Sequence, residues 1–319
     1  MLPVVVGVVV PHPRWVATLV HIPLTVGTLA LTFGFLASSP TSFQIAFTLL
    51  GMAFGVALTA FHMALWRAPV ANGTVIAMRC ALVALLVTVS LGLLLSGFFG
   101  WGWPISVVTV TDLHAVWGLI GWTVLLVAGV AYQVVPMFQM TPAYPPWFVR
   151  GFAPLMAVML ALWSVAQIAD WPAAAQVTGL ALAVGIALFA AITARLLGQR
   201  RRKIGDATLP YWRISMASLS LAAGLWCLAR LIPAWAHAPQ IDLLLGVLLI
   251  AGFAVAVDMH RLVVDHGSDP FRDYRCIGAV GILSLAEDIE IAQANGLEAI
   301  GTREHIGIQL IHVLGDGIG

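Results

Sequence analysis

The chain has 319 residues, of which 61% are hydrophobic and only 9% are charged, and its mean hydropathy is +0.99. A soluble domain carries about a quarter charged residues, so this composition excludes a soluble globular protein and indicates a polytopic α-helical protein in a lipid bilayer. The formal net charge of +1 gives no reason to expect a nucleic-acid partner. The three cysteines lie far apart without a CxxC spacing, which argues against a disulfide framework or a thiolate metal site.

Apolar segments separated by short turns predict an all-α transmembrane bundle of about eight spans. The connectors carry turn residues, such as Pro40 and the pair Asn72-Gly73. The predicted spans are Trp15–Leu36, Phe43–Trp66, Val75–Phe99, Asp112–Val135, Phe148–Ala169, Ala174–Leu197, Tyr211–Ile232 and Ile241–Leu262.

Basic residues predict how the bundle is oriented. The loops 38–42, 100–111 and 170–173 contain no Lys or Arg. The opposite side carries His12, Arg14, Arg67, Arg79, Arg150, Arg195, Arg200, Arg201, Arg202, Lys203 and Arg213. Because cytoplasmic loops carry the excess of Lys and Arg, we expect both termini to be cytoplasmic, in a bacterial inner membrane.

An internal similarity indicates repeated four-helix units. Leu2-Pro3 matches Val135-Pro136, and the Pro-rich stretch at 11–16 matches a similar stretch at 144–149. Both matches have the same offset along the chain. Chance similarity between two Pro-rich apolar stretches is the alternative. The bundle then covers 15–264, with units at about 1–107 and 108–240 and a partial third unit at 241–264.

The two ends differ from the bundle. Residues 1–14 are predicted to be the stub of a truncated helix and a cytoplasmic turn. Residues 265–319 are mixed, charged and Gly-rich, which predicts a cytoplasmic tail, or a non-native or frameshifted end.

The fourth predicted span carries small residues along one face. The residues that share that face by helical spacing are His114, Gly118, Gly121, Leu125, Ala128/Gly129 and Tyr132. Small residues at this spacing mark packing interfaces in membranes, so we expect the face to accept either a helix backbone or a flat ligand.

Three polar residues flank this face at its two ends. Asp112 directly precedes the span, so an N-cap role is the simplest interpretation. Tyr132 and Gln133 could donate to a propionate or a substrate, although interfacial anchoring also explains the tyrosine.

Two further histidines lie on lines of polar residues. His21 shares a helical face with several threonines, and His62 ends a similar line in the next span. Because those spans run antiparallel, the two imidazoles are expected at one depth, as axial ligands of a haem or as part of a copper site. The alternative is that each histidine bonds a threonine or a carbonyl at a helix interface. His114 lies near the opposite membrane face and would serve a second site or none.

Two stretches resemble a known family. The segments LHAVWGLIGWTVLLVAGVAYQVVPMFQMTPAYP and RRRKIGDATLPYWRISM are similar to bacterial multi-span proteins grouped with the haem–copper oxidase subunit I architecture and the NnrS-like proteins. The resemblance implies a haem- or copper-binding scaffold of four-helix units that acts in respiration or in the nitric-oxide response. His21, His62 and His114 would be its ligands.

Two other functions are compatible with the sequence. A solute permease or channel-like protein would use the polar lines to border a pathway. An assembly partner of a respiratory complex would bind other membrane subunits. The chain contains no P-loop, no HExxH and no Ser/His/Asp set. Enzymatic activity in isolation therefore has no positive support.

Overall fold

A computed structural model describes residues 13–68, 72–201, 208–232, 235 and 239–257. The described residues are helical and contain no strand, so the prediction of an all-α bundle is confirmed. The predictions for the amino-terminal stub up to residue 12 and for the 265–319 tail fall outside the described residues.

Eight helices follow one another in the described ranges, and we number them in chain order. They are α1 Pro13–Ala37, α2 Pro40–Trp66, α3 Gly73–Trp101, α4 Val107–Gln139, α5 Pro146–Ile168, α6 Pro172–Gly198, α7 Thr208–Leu231 and α8, which consists of Pro239–Val247 followed by Leu248–Val255. The first seven are long and apolar enough to cross a membrane. The apolar part of α8, Gln240–Val255, is shorter, and the predicted end of this span at Leu262 lies outside the described residues.

The starts of the helices recur along the chain. Helix α1 begins at Pro13 and α5 begins at Pro146, while α2 and α6 begin at Pro40 and Pro172, so the two pairs of starts have nearly the same separation. Proline suits the first turn of a helix because its missing N–H would have no partner there. These separations are close to the offset of the internal sequence similarity, while the repeat units themselves stay a prediction.

Helices α4 and α8 each contain a π-helical segment. Helix α4 contains a π-helical segment at Trp117–Val124, and α8 contains another at Leu248–Val255, which is separated from the first by almost the same period. In the first segment the Thr123 hydroxyl donates to the Gly118 carbonyl, five residues earlier. This spacing matches the wider π turn. The two segments contact each other across the bundle.

The buried core extends over α3 to α8. Helix α4 packs along α3, and the pairs α5–α6, α6–α7 and α7–α8 are neighbours. The bulky, fully buried side chains of this core include Leu125, Phe148, Leu160, Phe189, Leu197, Met216 and Phe253. Helix α1 packs against α2 at the periphery, and no residue of either helix belongs to this core cluster in the described part of the chain.

Candidate functional site

A cavity of about 460 Å³ lies between α4, α5, α6, α7 and α8. Its walls are apolar and include the buried side chains of Leu182, Ala183 and Ile186 on α6. Sites for small molecules have volumes of about 300 to 1,000 Å³ and mostly apolar walls with a few polar groups. The size and the lining of this cavity therefore suit a small organic ligand.

The polar groups of the cavity come from four different helices at one end of the bundle. Asp112 lies near the start of α4, Gln167 near the end of α5, Arg230 at the end of α7 and Asp242 near the start of α8. Asp112 interacts electrostatically with both Asp242 and Arg230. The charged side chains thus form one group at the mouth of the cavity.

Charged residues are scarce in the bundle, so their meeting here is informative. The described ranges contain three acidic residues, and two of them, Asp112 and Asp242, line the cavity. Arg230 is the only Lys or Arg at this end of the described helices. All three side chains are exposed near helix ends, so they are accessible at the mouth of the cavity.

The structure corrects the N-cap interpretation of Asp112. Helix α4 begins at Val107, with Ser106 as its N-cap residue, so Asp112 is the sixth residue of the helix. Residues 107–111, which the sequence placed in the loop 100–111, are helical. Since Asp112 caps no helix, its carboxylate is available to the cavity that it lines.

Two tryptophans form the aromatic part of the cavity wall. Trp163 of α5 is buried, and Trp226 of α7 packs its indole over Gly179 of α6. The Arg230 guanidinium lies 5.1 Å from the centroid of the Trp226 ring. This stacking holds both the arginine and the indole at the cavity.

Both π-helical segments face the cavity. Leu119 and Ile120 from α4 and Leu249 from α8 belong to its lining. Gly252 of α8 allows close packing on α7, because a Cβ there would lie 2.5 Å from the Ser218 hydroxyl oxygen. Since π turns in helices are found frequently at functional sites, two of them beside one cavity support its assignment as a binding site.

The small-residue face of α4 packs against α3. A Cβ added to Gly121 would lie 2.8 Å from the Ala84 Cβ, and one added to Gly129 would lie 2.9 Å from the Ala77 Cβ. Of the two occupants that the sequence left open, a helix backbone is therefore the one observed.

His114 belongs to the same interface between α3 and α4. Its Nδ1 lies 2.9 Å from the Thr88 carbonyl oxygen, and its Cε1 would lie 2.9 Å from a Cβ on Gly92. The imidazole is partly buried between the two helices. This position matches the alternative in which the histidine bonds a carbonyl at a helix interface.

His21 and His62 do not face inward, which corrects the expected geometry. Both are exposed, and the His62 ring stacks on Trp66 with their centroids 4.3 Å apart. The threonines on these faces donate to carbonyls of their own helix, as Thr28 does to Leu24 and Thr59 does to Gly55. A threonine satisfied in this way needs no neighbouring helix.

The faces on which α1 and α2 pack against each other carry small residues instead of the polar ones. Pro23 and Gly27 of α1 are buried, as are Ala46 and Ala53 of α2. A Cβ on Gly27 would lie 2.9 Å from the Leu50 Cγ. Close approach of backbones, and not polar contact, therefore decides which faces meet.

Tyr132 is buried within the bundle, so it does not serve as an anchor at the membrane interface. Its ring centroid lies 5.3 Å from that of Tyr144, and its hydroxyl has no hydrogen-bond partner among the described residues. Burial raises the pKa of Tyr144, whose hydroxyl shares a hydrogen bond of 2.9 Å with Thr193. Gln133 is partly buried.

These positions do not fit an enclosed haem or copper centre. The described part of the chain holds no group of three or more His, Cys, Asp or Glu side chains that could bind a metal ion. His21 and His62 are exposed, and His114 is engaged by α3. The predicted ligand roles of these histidines, of Tyr132 and of Gln133 stay predictions.

Sequence reasoning missed the residues that the cavity brings together. Arg230, Asp242 and Gln167 lie at helix ends, where charged and polar residues are ordinary. One signal was present, because Arg230 is a basic residue on the side whose other loops lack Lys and Arg.

Comparisons with known proteins add no further identification. No protein-family profile, curated protein or solved structure matches the chain. The family resemblance therefore rests on the two sequence stretches alone.

Proposed function

We propose that this membrane protein is a small-molecule binding protein of the permease type and that the cavity between α4 and α8 holds its ligand. The observation that carries the proposal is the meeting of Asp112, Arg230 and Asp242 at a cavity of about 460 Å³. Convergent polar groups at the edge of an apolar cavity are the kind that fix the orientation of a bound ligand.

The four-helix period gives separate support. Many transporters are built from internal repeats and bind their substrate at the repeat interface. Here α4 and α8 occupy equivalent places in the period, and their π-helical segments meet beside the cavity. Because π turns depart from regular helical hydrogen bonding, these segments are suited to a local change of shape on binding.

We infer that the mouth of the cavity faces away from the cytoplasm in a bacterial inner membrane. The arginines near the opposite ends of the helices, such as Arg67, Arg150 and Arg195, support this orientation through the positive-inside rule. The ligand would then enter from the outer side.

A ligand screen on the purified protein tests the proposal. The protein in detergent is heated with a library of small polar and amphipathic metabolites, and compounds that raise its melting temperature are collected. Ala183→Phe places a ring in the cavity wall and should abolish the shifts. Val184→Phe is the matched control, because Val184 is the next residue of α6 and is 58% exposed.

Uptake into proteoliposomes then separates a permease from a receptor. Each compound found in the screen is supplied outside vesicles that contain wild-type protein or the Ala183→Phe variant. The proposal predicts uptake that the wild-type protein supports and the variant does not. If the compounds still raise the melting temperature of the Ala183→Phe variant, the cavity is not their binding site.

The other functions stand as hypotheses that rest on the sequence. A haem- or copper-binding role in respiration or the nitric-oxide response is supported by the family resemblance and by the presence of His21, His62 and His114. A role as an assembly partner of a respiratory complex is supported by the exposed faces of α1 and α2. The geometry favours neither of these two functions over ligand binding in the cavity.

A further inference from the structure

We propose that the ligand of the cavity is a small organic cation, namely an amine or a quaternary ammonium group on an apolar body. This inference rests on the proposed binding function and names the class of ligand. It follows from the charges, the aromatic groups and the apolar walls of the cavity.

The charges that line the cavity favour a cation. Asp112 and Asp242 contribute two formal negative charges and Arg230 contributes one positive charge, so the lining carries a formal charge of −1. Each carboxylate repels the other, and one guanidinium cannot neutralise both. A bound cation would complete the balance, and because the three charged side chains are exposed, its attraction should weaken as salt is added.

Arg230 does not offer an equivalent site for an anion. Its guanidinium is stacked on Trp226 and interacts with Asp112. An anion would have to approach this arginine against Asp112 and Asp242, the two carboxylates at the same mouth. Like charges at a binding surface exclude the wrong partner.

The surrounding end of the bundle has the same sign. Asp170, at the end of α5, adds a third carboxylate, and Arg230 is the only Lys or Arg at this end of the described helices. Among the described residues this end therefore carries three carboxylates and one guanidinium, and a net negative surface concentrates cations. A cation is therefore attracted before it enters.

The walls can hold both parts of such a ligand. Trp163 contributes a second indole group to the lining, beside the Trp226 ring on which Arg230 stacks, and aromatic rings attract ammonium groups. Leu182, Ile186 and Leu249 form an apolar surface for the body of the ligand. Gln167 at the mouth is a neutral hydrogen-bonding group that can accept from an amine.

Three probes of one shape test the inference. Benzylammonium, benzyl alcohol and benzoate share an aromatic ring and differ in charge, and their binding to the full-length protein in detergent is measured by isothermal titration at neutral pH. We expect benzylammonium to bind at least about tenfold more tightly than benzyl alcohol, and benzoate to bind weakest.

Charge variants at the mouth provide the second test. Asp112→Asn and Asp242→Asn should each weaken benzylammonium binding about tenfold and leave benzyl alcohol binding unchanged, while Arg230→Gln should strengthen benzylammonium binding. Asp170→Asn is the matched control, because Asp170 does not belong to the cavity lining, and it should change the affinity by less than about twofold. The melting temperature of each variant shows that it is folded.

The outcomes separate the ligand class from the binding function. If benzoate or benzyl alcohol binds as tightly as benzylammonium and Ala183→Phe abolishes that binding, the cavity is a site but the inference of a cation is wrong. Benzylammonium binding that Asp112→Asn and Asp242→Asn leave intact would overturn it as well. If none of the probes binds, and the screen finds no other compound that depends on the cavity, both the inference and the proposed function fail.

Discussion

The indole of Trp226 lies directly over Gly179, so that a Cβ added to this glycine would lie 2.6 Å from the indole Cη2 and 2.8 Å from Cζ2. Helix α6 thus approaches α7 at a point where only a hydrogen atom fits. The same indole carries the stacked Arg230. Gly179 therefore fixes the position of the aromatic and cationic part of the cavity.

Gly179→Ala should displace Trp226 and disturb the cavity. The indole is rigid, so we expect a loss of about 1–3 kcal/mol in stability from overpacking and weaker binding of any ligand found in the screen. The measurement is the melting temperature in detergent together with the binding isotherm. Gly224→Ala is the control, because a Cβ there meets no atom within 4 Å, and a similar loss at both sites would contradict the assigned role of Gly179.

His114→Ala should destabilise the packing of α3 on α4. The variant removes the hydrogen bond to the Thr88 carbonyl and leaves a gap beside Gly92. Hydrogen bonds between membrane helices contribute about 0.6 kcal/mol on average and up to about 1.7 kcal/mol, so a fall of a few degrees in melting temperature is expected.

Thr88→Val is the control for this contact. The acceptor is the Thr88 backbone carbonyl, while its hydroxyl donates to Ala84 within the same helix. The substitution keeps both the shape of the side chain and the acceptor. A melting temperature that falls as far in Thr88→Val as in His114→Ala would show that the imidazole makes no specific contribution.

The absorption spectrum and metal content of the purified protein test the haem or copper hypothesis. Because His21 and His62 are exposed and His114 is engaged by α3, the geometry leads us to expect no Soret band and no stoichiometric copper. The variants His21→Ala and His62→Ala should melt within about 1 °C of the wild-type protein, since surface substitutions change stability by no more than about 0.5 kcal/mol. A Soret band that disappears in either variant would reverse this conclusion and support the family resemblance.

The sequence predicted the helices well because the physical signal was local. Apolar length and proline-rich turns determine where helices run, and the period of the internal sequence similarity reappears in the helix starts. The sequence also marked the small-residue face of α4 as one that accepts a close neighbour but left open a helix or a flat ligand, and Gly118, Gly121 and Gly129 pack against α3.

The site was harder to predict because its residues meet only in three dimensions. Asp112, Arg230 and Asp242 lie on three helices, and nothing in the spacing of the sequence joins them. The threonines beside His21 suggested an inward face because their internal hydrogen bonds, such as Thr18 to Arg14, cannot be read from composition. Helix α4 extends five residues further toward its amino end than the predicted span, so Asp112 lies inside the helix and not at a cap.

The most direct test of the account is whether water-borne reagents reach the cavity. Ile120→Cys is introduced into a variant in which Cys80, Cys227 and Cys276 are replaced by serine, and membrane vesicles of known orientation are treated with a membrane-impermeant thiol reagent. Ile120 lies in the π-helical segment of α4 and lines the cavity. Leu180→Cys is the control, because Leu180 lies on an outward face of α6 and is 51% exposed. The account predicts that Ile120→Cys reacts from the non-cytoplasmic side, that Leu180→Cys does not react, and that Ala183→Phe blocks the reaction. An unreactive Ile120→Cys, or one that reacts equally fast with Ala183→Phe present, would contradict a ligand cavity between α4 and α8.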